Sequence, residues 1–311
     1  MKQLRVFDGH CDTAVELWQR KEALADSSCQ VSLRRARKFD AYVQIFAFCT
    51  AWLPPQVRES DAFLESLRYF SVQLSCNRDE IVLCRTAKDA QSALNGNARG
   101  AMLAIEGAEA IGCDPGRLDE AYEAGVRMAT LTWNHKNALA GSCHTGEGLS
   151  AQGREFVRRA QKLGIIIDVS HLSERAFWDV CELSEKPIVA SHSNSRAVCP
   201  HPRNLTDEQF RAICQLGGTA GINLYGPFLS ERAATLDDVC RHIEHFCALG
   251  GASHVALGGD LDGCDTLPAG FSGVEDYEKL AAALSSRGYP EETIRGIFSD
   301  SLLKVVKQCI M

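Results

Sequence analysis

Short runs of β-branched and small apolar residues recur along the chain, each ending in polar or charged residues, with amphipathic stretches between them. Eight such runs stand out: Leu4 to Asp8, Ala41 to Phe48, Gly100 to Ile105, Val126 to Thr132, Gly164 to Val169, Pro187 to Ser191, Gly218 to Leu224 and His254 to Gly259. This is the alternation of βα units. The intervening periodicity predicts helices that include Ser60 to Ser75, Ala151 to Leu163, Ser173 to Leu183, Thr206 to Leu216 and Thr235 to Leu249. Thr206 with Gln209, and Thr235 with Asp238, have capping-box spacing. Gly164, Gly217 and Gly250 stand where a helix end needs a positive φ. Eight strands alternating with helices, with no repeat or linker, predict an α/β fold of the (β/α)8 TIM-barrel kind, one domain spanning residues 1–311. A doubly wound open sheet would share the alternation.

Composition removes whole classes of function. The chain is 45% hydrophobic and 23% charged, with 33 Lys and Arg against 40 Asp and Glu, a net charge of −7. It offers no basic footprint for nucleic acid or anionic lipid, and no apolar run approaches the roughly 20 residues of a membrane span. The opening MKQLRVFDGHCDT has no signal-peptide h-region, so a cytoplasmic protein is expected. Its 14 cysteines include no CxxC pair and read as reduced thiols packed as small hydrophobes. A homo-oligomer is left open.

In such a barrel, chemistry gathers where strands run out into loops. The predicted strands end in metal-ligand residues: His10 and Asp12 after the first, Glu106 after the third, His171 after the fifth, His192 after the sixth and Asp260 after the eighth. Within an extended segment, His10 and Asp12 project from one side. Singly, each reads as a satisfied structural histidine or a solvated carboxylate. Together they fall at one end of parallel strands that closure makes converge. Three histidines and three carboxylates suit a divalent ion such as Zn²⁺ and exceed what one ion needs; a shared carboxylate between two ions would use the surplus, which points to metal-assisted hydrolysis.

The segments DGHCDT, AIEG at 104 to 107, TLTWNHKN at 130 to 137, IDVSH ending at His171, ASHSNSRAVCPHPRN at 190 to 204 and GGDLDG at 258 to 263 resemble the membrane (renal) dipeptidase family, in the family's order and over nearly the whole chain. The resemblance implies a barrel holding two Zn²⁺ and hydrolysing dipeptides, often those with a C-terminal D-residue. It implies His10 and Asp12 on one zinc, His171 and His192 on the other, Glu106 bridging, Asp260 as acid/base, and Arg203 on the substrate carboxylate, a task suited to a guanidinium fork.

The chain departs from the family in two ways. It ends in SDSLLKVVKQCIM rather than a lipid-anchor signal, so the resemblance is to a cytoplasmic, bacterial-type member. Where relatives carry TLTH, this chain has Trp133. If the segment is extended, His135 points to the same side and takes over substrate binding and oxyanion stabilisation; otherwise Trp133 lines the pocket and His135 makes a loop hydrogen bond. Tyr225, after the seventh strand, is expected either to contact substrate or to pack. His242 and His245 are expected on a partly exposed helix face, and Cys11 in barrel packing. Rival readings are another metal-dependent hydrolase acting on an N-acyl amino acid, lactone or cyclic amide, and a non-catalytic binding barrel. Arg203 separates the first, because a substrate without a carboxylate gives it no partner.

Overall fold

In β2 (Ala41–Cys49), Val43, Ile45 and Ala47 pack into one apolar cluster and Tyr42, Phe46 and Phe48 into another, the split of a strand buried on both faces. The computed structural model describes residues 4–54 and 56–310. The other strands are β1 (Arg5–Cys11), β3 (Ile81–Leu83), β4 (Arg99–Glu106), β5 (Val126–Thr130), β6 (Ile166–Asp168), β7 (Val189–Ala190), β8 (Thr219–Ile222) and β9 (Val255–Leu257). Every pairing is parallel. β1, β2, β4, β5, β6, β7, β8 and β9 form a ring that closes through β2 and β4. The sheet is therefore the eight-stranded closed barrel, not the open alternative.

β3 is an extra strand along the start of β4, pairing Ile81 with Arg99 and Leu83 with Ala101. Its three residues are too few to display alternation. Inside the barrel, Phe7, Val43, Met102, Met128, Ile166 and Ala256 cluster with Leu302, Val305 and Val306 of the last helix, Ser301–Cys309. That helix lies under the strands' N-terminal ends, where Thr219 Oγ1 donates to Ser301 O (3.4 Å) and Cys309 Sγ to Pro187 O (3.6 Å). With that end filled, the open mouth lies at the strands' C-terminal ends.

The capping signals take the expected places. Thr206 Oγ1 accepts from Gln209 N (3.2 Å), and Gln209 Oε1 accepts from Thr206 N (2.9 Å). Asp238 Oδ2 accepts from both Thr235 N (2.8 Å) and Thr235 Oγ1 (2.7 Å). Gly164, Gly217 and Gly250 have φ of 89°, 74° and 88°. One histidine expectation is overturned: His242 is fully buried. Its Nδ1 accepts from Ser195 N (3.1 Å) and its Nε2–H donates to Leu229 O (3.1 Å), so the ring clips two mouth segments together as a neutral imidazole. His245 is only partly buried and bonds Asp207 Oδ1 at 2.8 Å. Cys11 is buried in the layer between barrel and helices.

Candidate metal centre

The last residues of β1 carry an irregularity that aims the first candidate ligands. Asp8 pairs with Gln44 but Cys11 with Phe46, so three steps on β1 match two on β2. Such a bulge re-aims side chains, here turning His10 and Asp12 toward the mouth and Cys11 outward. Buried Asp8 secures it: its Oδ1 accepts from His10 N (2.9 Å) and Gly259 N (3.1 Å), and Tyr277 OH donates to its Oδ2.

Glu106, at the end of β4, divides its two oxygens between two ligand pairs. Oε2 lies 3.2 Å from His10 Nε2, which is 3.6 Å from Asp12 Oδ2. Oε1 lies 2.8 Å from His171 Nε2 and 3.5 Å from His192 Nε2, and those two nitrogens are 3.0 Å apart. Atoms bound to one tetrahedral zinc at 2.0–2.2 Å stand about 3.4 Å from each other, and these separations bracket that value. His10 Nε2 is buried with no hydrogen-bond partner, a polar atom that coordination to a cation would satisfy. His10, Asp12 and Glu106 thus form one candidate metal group, and Glu106, His171 and His192 another.

The electrostatics ask for positive charge at the same points. Burial, reinforced by the Arg203 guanidinium, pushes His171 down toward the neutral, ligating form; burial and His10 do the same to His192. At His10 burial pulls downward too, but Glu106 and Asp12 outweigh it and hold the imidazole well above its ordinary value. Burial and the Glu106 carboxylate push Asp12 up. A cation between these carboxylates and imidazoles would relieve both.

Each imidazole is anchored through its other nitrogen, as ligating histidines require. Ser191 Oγ donates to Asp168 Oδ2 (2.5 Å) and receives His192 Nδ1–H at 2.7 Å, with His10 Nδ1 3.4 Å away. A third grouping of His10, Asp168 and His192 is therefore already filled by a hydroxyl. His171 Nδ1 faces Asn134 Oδ1 at 3.0 Å.

Asp260 follows β9 in a left-handed conformation (φ 56°), as do Asp262 (67°) and, after β6, His171 (68°), a concentration of backbone strain typical of functional sites. Asp260 N donates to His10 O (3.1 Å), and Asp260 Oδ1 lies 3.8 Å from His10 Nε2. A Cβ on Gly263 would stand 2.2 Å from Asp12 Oδ2 and 2.7 Å from Asp260 Oδ1, so any side chain here would displace both carboxylates.

A cavity of about 410 Å³ opens here, lined among others by Asp12, Glu106, Trp133, Asn134, His171, Arg203, Tyr225, Phe228 and Asp260. Arg203 is 4% exposed, its Nε has no partner, and its terminal nitrogens make only 3.4 Å contacts to Ser193 Oγ and His192 O. No carboxylate among the described residues pairs with it. Tyr225 lines the wall edge-on to Phe228, ring centres 4.8 Å apart. His135 is exposed and does not line the cavity: residues 133–135 bend rather than run extended, so alternation does not carry the ring inward. Trp133 and Asn134 face the cavity instead. Sequence reasoning missed Asn134, Asp168, Ser191, Asn223 and Gly263. Four of them lie inside the quoted motifs and Asn223 within the seventh apolar run, but no spacing marks a hydroxyl or amide that turns to a distant strand.

The profile of a family described as membrane dipeptidase (peptidase family M19) matches residues 1–310. An uncharacterized protein in the pqqA 5′ region of Klebsiella pneumoniae is 34% identical over 260 residues, covering 79% of this chain and 96% of that protein. An uncharacterized dipeptidase of Schizosaccharomyces pombe is 35% identical over 213 residues, covering 66% of this chain and 52% of that protein. Among solved structures, the metallo peptidase from Rhodobacter sphaeroides liganded with a phosphinate mimic of the dipeptide L-Ala-D-Ala has a TM-score of 0.91 at 29% identity, covering 99% of this chain and 100% of that one. The dipeptidase AC, a family M19 metallo peptidase, has a TM-score of 0.91 at 30% identity, covering 99% of each chain.

Proposed function

The chain belongs to the membrane dipeptidase family, peptidase family M19, and from that premise we propose that this cavity hydrolyses the peptide bond of dipeptides, those with a C-terminal D-residue included. The Rhodobacter sphaeroides relative, which holds a mimic of L-Ala-D-Ala, supports that stereochemistry. The observation that carries the reading is a buried, carboxylate-free Arg203 opening into the same cavity as ligand pairs split between the two oxygens of Glu106.

Two divalent ions, zinc by the chemistry of the donor set, would be held by His10, Asp12 and Glu106 and by His171, His192 and Glu106, and when bound supply Lewis acidity toward the scissile carbonyl and a water made nucleophilic at neutral pH. Arg203 receives the substrate's α-carboxylate through paired charge-assisted hydrogen bonds, which sets the peptide bond at one residue's distance from the substrate's C-terminus. Asp260 Oδ1 takes the proton of the attacking water and returns it to the leaving amine. Tyr225 and Phe228 flank the C-terminal residue. The volume of about 410 Å³ leaves room for a dipeptide. His135 has no part in this reading.

No helix of the described residues is long and apolar enough to cross a membrane. Nine of the fourteen cysteines are buried thiols packed as apolar side chains, which supports a reducing, cytoplasmic compartment. The experiment that tests the function is metal analysis of the purified protein together with a dipeptide panel before and after chelation. Two ions per chain, and activity lost with them, are expected; full turnover by metal-stripped protein would refute the reading.

A further inference from the structure

The three histidines of the candidate centre are not anchored alike. His10 and His192 both turn Nδ1 toward Ser191, which is 1% exposed and tied to fully buried Asp168 inside the barrel. His171 turns Nδ1 toward Asn134, a partly exposed residue of the loop after β5 that also lines the substrate cavity. The same loop holds His171 by its backbone: Cys143 N donates to His171 O (2.7 Å), and Ser142 Oγ ties the loop to itself through Asn134 O (2.9 Å). His171 meanwhile sits in a left-handed conformation with φ 68°, which a β-carbon residue adopts only when its surroundings impose it.

We propose that Asn134 is the positioning residue for His171, and that it makes the half of the centre built on His171 and His192 the weaker one, dependent on a loop that faces substrate. The inference rests on the dinuclear reading above. A ligating Nε2 must present a lone pair, so Nδ1 carries the hydrogen and needs an acceptor. Asn134 Oδ1 is that acceptor; it selects the tautomer and fixes the ring's rotation about the strained residue. Removing it frees the ring on one side of Glu106 and leaves the His10 and Asp12 side, with its own anchors, untouched.

The test is titration of the metal-stripped, full-length protein with Zn²⁺ against a chromophoric chelator, which reads two affinities without reference to turnover. In Asn134→Ala one of them should fall about 10- to 100-fold, the cost usual for losing such an anchor, and the other should hold. Asn134→Asp retains an oxygen acceptor at the same reach and should keep both near wild type, which also guards against a misfolded alanine variant. Unchanged affinities in Asn134→Ala, a parallel fall of both, or an aspartate variant as weak as alanine would each overturn the proposal. Wild-type protein that takes up fewer than two ions would instead overturn the dinuclear reading on which it rests.

Discussion

Asn223 Nδ2 donates to Asp260 Oδ2 at 2.9 Å, which leaves Oδ1 as the oxygen turned toward His10, 3.8 Å from its Nε2. Asn223 is fully buried, and its own Oδ1 accepts from Tyr225 N at 2.6 Å, so the amide cannot rotate without abandoning two partners. The proposed proton carrier is thus held by one oxygen and free at the other.

Asp260→Asn should lower kcat by at least about 100-fold, the lower range for a positioned proton transfer, while metal content stays near that of wild type. Asn223→Ala should cost less, and nothing further in the Asp260→Asn background, because the two act as one unit. Metal lost in step with activity in Asp260→Asn would make Asp260 a ligand instead.

Glu106→Gln should disturb both ions, since its two oxygens face different ligand pairs and a neutral amide is a poor bridge between cations. Metal analysis of the purified variant decides the matter. Loss of a single ion would assign Glu106 to one side only.

Arg203→Ala should reduce kcat/KM for a dipeptide by about 100-fold or more, because charge-assisted bonds to a carboxylate contribute about 1.5 to 3 kcal/mol each, and it should leave metal in place. A dipeptide amide offers the same scissile bond without the carboxylate, so wild type should process it poorly. Equal turnover of acid and amide by both proteins would favour a hydrolase of another substrate class.

His242 gives a prediction about folding rather than catalysis. Burial pushes its pKa from 6.5 down to about 4, so the folded state binds its proton later than the unfolded chain does. The stability this neutral ring contributes is complete above pH 6.5 and is lost as pH falls toward 4, by up to about 3 kcal/mol. Denaturant unfolding of metal-stripped protein across that window should show a shallower pH slope in His242→Gln, together with lower stability at pH 7. An identical slope would place the titration elsewhere.

Much of this could be read along the chain because it is written locally. The short apolar runs, the Thr206 capping box and the glycines ending helices depend on neighbours within a few residues, and all of them stand in the structure. His10, Asp12, Glu106, His171, His192 and Asp260 were visible as ligand types at strand ends, and closure of the ring brings those ends together. What the chain could not disclose is how distant groups meet. The bulge that turns His10 inward is held by Asp8 against Gly259, 251 residues away in sequence; His192 is anchored by Ser191 on Asp168, and Asp260 by Asn223. His242 looked half-exposed because its helix is amphipathic, yet Ser195 and Leu229 cover it. His135 looked inward on the premise of an extended strand, whereas the bend at 133–135 leaves Trp133 and Asn134 lining the cavity. A hydroxyl or amide carries no periodic signal, and its partner is chosen by packing across the barrel, so tertiary structure alone decided which way each candidate ligand faces.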